Sequence, residues 1–145
     1  MERLLPDAAA RAFARMPVQD QRHGLDILAA LQAQGLQSDD LFAAALLHDV
    51  AKANGVRIWH RVITVLLRAS QPDWLRLLAS PDPTSWRYPF WLQLHHPQLS
   101  ADIALDAGCS QATVELVRHH HDRDVRLDPP LDRWLAALQS VDDQV

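Results

Sequence analysis

The run Leu41 to Leu47, LFAAALL, leads without a break into His48-Asp49. As a helix it has no polar side to turn toward water, so it belongs at the buried centre of whatever domain contains it. Ser38 is a good N-cap for this helix, and Asp39 and Asp40 fall in its first turn, where negative charge complements the helix dipole. We read the helix as continuing through LFAAALLHDVAK, which sets Lys52 four residues after His48 on the same face.

Everything around this segment is helical in pattern. The chain has four glycines and no Asn-Gly or Asp-Gly hairpin signal. The spacing predicts helices over 7–15, 18–34, 58–68, 72–79 and 131–142, with Gly35 as a left-handed C-cap. Residues 86–94 read as a short helix or an irregular aromatic stretch. Pro97 suits the first position of a helix that ends at Gly108, and Ser110 caps one that carries Val114, Val117 and a histidine run. The expectation is an all-α fold of about six to eight helices in a single compact domain over 1–145.

The charge count is 14 basic against 18 acidic residues, net −4, which gives no basic footprint for an extended nucleic-acid surface. Apolar runs stop far short of the ~20 residues a bilayer needs. The N-terminus shows no signal-peptide pattern, and the single cysteine, Cys109, permits no intramolecular disulfide. A cytoplasmic protein without membrane contact is expected.

Histidine is the unusual residue. There are eight, and His95-His96 and His119-His120-His121 are runs. An ionised Asp49 beside His48 in an apolar helix is costly to bury unless it is paired or metal-bound. Asp49 could equally hydrogen-bond its neighbours near a helix end. His23, the two runs and Asp142 then place imidazoles and carboxylates on five segments, which is what a metal site in a bundle core requires.

The ordered pieces RHGLDIL, AALLHDVAK, HHPQLSADIALDAG, VRHHHD and ALQSVDD resemble the HD superfamily of metal-dependent phosphohydrolases, in its HDIG/HDxxK form. The resemblance covers about 18–143. It implies one or two divalent ions, drawn from Mn, Fe, Mg, Zn, Ni and Co. His23, His48, Asp49 and Asp142 would hold the first ion. Asp49 would bridge to a second, held by His96 and by His120 or His121, with His119 left out. Lys52 would meet the substrate phosphate, and Asp49 and Lys52 are the catalytic candidates. The implied reaction is attack of a metal-bound hydroxide on a phosphomonoester or phosphodiester, a nucleotide foremost.

Arg57 and Arg61 are further candidates to bind phosphate, with His60 beside them; a solvated helix face is the plainer account. Arg118 and Arg123 carry the same ambiguity. Trp86, Tyr88, Phe90 and Trp91 could wall a pocket and stack a base, or could be core or a dimer contact. The loop after His121 lacks the Gly-Tyr-Pro element of the cyclic-di-GMP branch, and Gln19 stands where some trinuclear members carry an acid. The same ligand order also suits an HD-type di-iron oxygenase, and a non-catalytic metal- or nucleotide-binding regulatory domain is a third alternative. The sequence sets neither the metabolite nor the oligomeric state.

Overall fold

A computed structural model describes residues 4–54 and 58–145. The described residues form eight α-helices: α1 (Asp7–Ala14), α2 (Val18–Ala33), α3 (Asp39–Leu47), α4 (Ile58–Ser70), α5 (Pro72–Leu78), α6 (Tyr88–Asp106), α7 (Gln111–His119) and α8 (Leu131–Asp142). A 3-10 turn, Val50–Asn54, follows α3, and no strand occurs among the described residues. The fold is all-α, as the sequence pattern predicts. Among the described residues no helix is long and apolar enough to cross a membrane.

The chain forms two compact units, one made of residues 1–50 and 97–145, the other of 51–96. In the first, α3 is the centre, and every residue from Leu41 to Leu47 is buried. It packs against α2 and α7, and also meets α8 and α1. Ser38 caps it as expected, its Oγ accepting from the Leu41 N–H at 3.2 Å. Ser110 caps α7 in the same way, and its hydroxyl also donates to Asp40, so the starts of α3 and α7 share one carboxylate. Gly35 and Gly108 close α2 and α6 at φ of 76° and 82°, where a Cβ would be strained.

Gly24 sets the approach of α2 to α3. A Cβ there would stand 3.2 Å from the Ala45 carbonyl oxygen and 3.4 Å from the Leu46 Cα. The missing side chain lets the two backbones come this close one residue after His23.

The second unit holds α4, α5 and the first half of α6, with α4 packed on α5. Phe90 is buried there, with the rings of His60 and Trp59 set edge-on at 5.3 and 6.0 Å. Tyr88, Trp91 and His95 form a stacked row along α6, at centroid distances of 5.7 and 4.5 Å.

Two expected boundaries are corrected. The central helix ends at Leu47 instead of continuing through Lys52: the chain tightens into the 3-10 turn just after Asp49, a residue type that the helix dipole disfavours at a C-terminal end. Pro97 does not begin a helix; it lies inside α6. A proline there removes the N–H that would reach the Gln93 carbonyl. The His96 ring replaces it, its Nδ1 donating to Gln93 O at 2.9 Å.

Candidate metal centre

The site in the first unit is built at helix ends. The last carbonyls of a helix have no partner within it. His48, the residue after α3, turns its Nδ1 back to donate to Ala45 O at 2.9 Å. His120 takes the corresponding place after α7 and donates from Nδ1 to Val117 O at 2.6 Å. A carbonyl can only accept, so in each neutral ring the proton sits on Nδ1 and the lone pair on Nε2. Both rings are buried.

Two carboxylates lie among these Nε2 atoms. Asp142 on α8 brings Oδ1 to 3.0 Å from His23 Nε2 and 3.5 Å from His48 Nε2, and Oδ2 to 3.8 Å from His121 Nε2. Asp49 brings Oδ2 to 3.7 Å from His48 Nε2 and Oδ1 to 3.9 Å from His120 Nε2. Each carboxylate thus faces different imidazoles with its two oxygens. One ligand atom each from His23, His48 and Asp49 fall within 4.8 Å of one another, close enough to converge on a single ion.

The protonation states suit that use. Burial, together with His48 and His121, pushes the His120 ring down to about 3, so it is neutral at pH 7. Burial alone raises the carboxyl of Asp142, but His121 beside it and the hydrogen bond from His23 outweigh burial and hold the group well below the usual carboxylate range. Neutral imidazole and ionised carboxylate are the forms that bind a divalent ion.

The other candidates divide by position. His119, half-buried, lies 3.4 Å from Glu115 and 3.6 Å from Asp122 through its two ring nitrogens. Arg118 donates to Gln98 and Arg123 lies across the Asp143 carboxylate at 2.6 and 2.8 Å, so both are engaged by neighbouring side chains. Lys52 is half-buried in the 3-10 turn, where the helical relation to His48 no longer applies. Arg61, half-buried, and His60, buried against Trp59, are on α4, and His96 is buried on α6. Lys52, His60, Arg61 and His96 all belong to the second unit. Arg57 lies outside the described residues.

Two residues that shape the site were not singled out from the sequence. One is Gly24. The other is Gln139, buried on α8, whose amide donates to His119 O at 3.1 Å and to Asp122 O at 2.8 Å. It fastens the turn carrying His120 and His121 to the helix carrying Asp142. Its signal was a lone amide in LAALQSV, three residues before Asp142 and therefore on the same side of the helix. A cavity of about 330 Å³, lined by Val18, Gln19, Arg22, His23, Asp26 and Val145, reaches His23 from the α2 side.

No protein-family model matches the chain, and neither a curated protein nor a solved structure does.

Proposed function

We propose that the chain is a metal-dependent phosphohydrolase of the HD type, acting on a small phosphomonoester or phosphodiester, a nucleotide foremost. The observation that carries this reading is the Asp49 carboxylate, with one oxygen 3.7 Å from His48 Nε2 and the other 3.9 Å from His120 Nε2. A carboxylate so flanked can hold one cation on each oxygen. In this reading His23, His48 and Asp142 complete the first ion's donors, and His120 or His121 serves the second. The resemblance adds His96 to the second ion and Lys52 to the substrate phosphate, with Arg57 and Arg61 as further cations for it. Bound divalent ions would supply a water-derived nucleophile and neutralise charge on the phosphoryl oxygens. The chain's own part is to keep the donors in binding form. The Ala45 and Val117 carbonyls hold His48 and His120 in one tautomer, and His121 and His23 keep Asp142 ionised.

The test is Asp49→Asn, read by elemental analysis and by a panel of phosphorylated metabolites with Mn, Mg, Co or Ni added. The expected result is loss of the second ion and a fall in turnover of at least ~100-fold, or about 2.7 kcal/mol of barrier. Lys52→Ala should keep its metal and lose activity. Wild-type metal content and turnover in Asp49→Asn would overturn the assignment. Bound iron that consumes oxygen, without phosphatase activity, would favour the oxygenase.

A further inference from the structure

The helix α4 is amphipathic in the wrong sense for an isolated chain. Its buried side carries His60 and Thr64. Trp59, Val62, Val65 and Leu66 are exposed, and at ~100° per residue they share an arc of about 120° opposite His60 and Thr64. Trp74 and Leu77, three residues apart on the adjoining α5, are exposed too. These six side chains are between 46% and 72% exposed.

We propose that the chain pairs with a second copy of itself through this face. Area is the first argument. The six side chains present apolar surface on the order of 600 Å², at the top of what a monomer shows in one patch. A stable interface needs ~800 Å² per partner, so the patch supplies most of it.

Composition and charge point the same way. Residues Ile58–Ser70 and Pro72–Leu78 carry two Trp and three Arg, residue types enriched at interfaces, with Asp73 as their one acidic residue. No charged residue falls in the α4 arc; Arg61 and Arg68 lie on its flank. An identical face can therefore meet it across a two-fold axis without like charges opposed, and two-fold dimers are the commonest soluble assembly. The inference is independent of the proposed activity.

The experiment is light scattering on the eluting full chain, from about 1 to 200 µM, since a dimer's population follows concentration. The expected mass is twice the 16.4 kDa of one chain, falling toward that value on dilution. The double variant Val62→Glu, Leu66→Glu puts four carboxylates at the two-fold and should raise the dissociation constant at least ~100-fold with an unchanged helical circular dichroism spectrum. Leu105→Glu, at an exposed apolar position in the first unit, should remain dimeric. If the double variant does not fold, Val65→Gln replaces it. A wild-type monomer at the highest concentration overturns the proposal. So does a folded double variant that still dimerises, a Leu105→Glu chain that dissociates equally, or an open series of larger species.

Discussion

The helices α3 and α4 are both dominated by aliphatic and aromatic residues, and they meet opposite fates. In α3 the apolar character runs around the whole circumference, and all seven residues from Leu41 to Leu47 are buried. In α4 it is gathered into a stripe that faces solvent, while His60 and Thr64 are buried. A helix apolar all round leaves no choice of side. A striped helix states that it has two sides without stating which one its own chain covers. What the stripe meets then depends on a partner, and for α4 that is the proposed second copy.

The contrast can be broken most directly in the core. Leu41→Ala removes a fully buried side chain from α3 and should cost ~3 kcal/mol, within the ~2–5 kcal/mol typical of such truncations, in urea unfolding. A loss under ~1 kcal/mol would mean that α3 is not the centre of its unit. Acid probes the titrating groups packed around the end of the same helix. His120 takes a proton at about 3 when folded against 6.5 ordinarily. Between these values the unfolded chain binds more protons, so the stability His120 contributes is complete above 6.5 and is lost as pH falls toward 3. Asp142 acts in the same sense, since its lowered value means stability present above 3.8 and lost below it. Metal-stripped protein should therefore lose up to ~1.4 kcal/mol per pH unit between pH 6 and 4 from His120 alone, with Asp142 adding to the loss only below 3.8; a melting temperature flat from pH 6 to 4 would refute it. The smallest effect belongs to α4. Leu66→Ala, in dilute protein, should change stability by less than ~0.5 kcal/mol, with a larger loss appearing only at concentrations where wild type is paired.

Much of the fold was legible because its punctuation is local. Ser38, Ser110, Gly35 and Gly108 act at the positions where their chemistry predicts. The histidines and aspartates of the site were legible as residue types, and the structure brings His23, His48, Asp49, His120, His121 and Asp142 together within one unit. What escaped depends on groups far apart in sequence. Gln139 acts through two backbone carbonyls some twenty residues away, as the hydrogen bonds to His119 and Asp122 show, and nothing in a linear pattern marks a carbonyl as needing a donor. Gly24 matters because of Ala45, a neighbour given only by packing. The end of α3 was misread because apolar periodicity continues through Val50 and Ala51 while the backbone does not.

Pro97 has an effect on chemistry that its place within α6 does not suggest. By lacking one hydrogen it leaves the Gln93 carbonyl open, and the ring of His96 closes it. A covalent feature of the main chain thereby decides which nitrogen of the preceding side chain keeps its proton. Any other amino acid at 97 would restore a rival donor for the same oxygen, and the imidazole's choice between its two neutral forms would pass from the peptide backbone to whatever surrounds the ring.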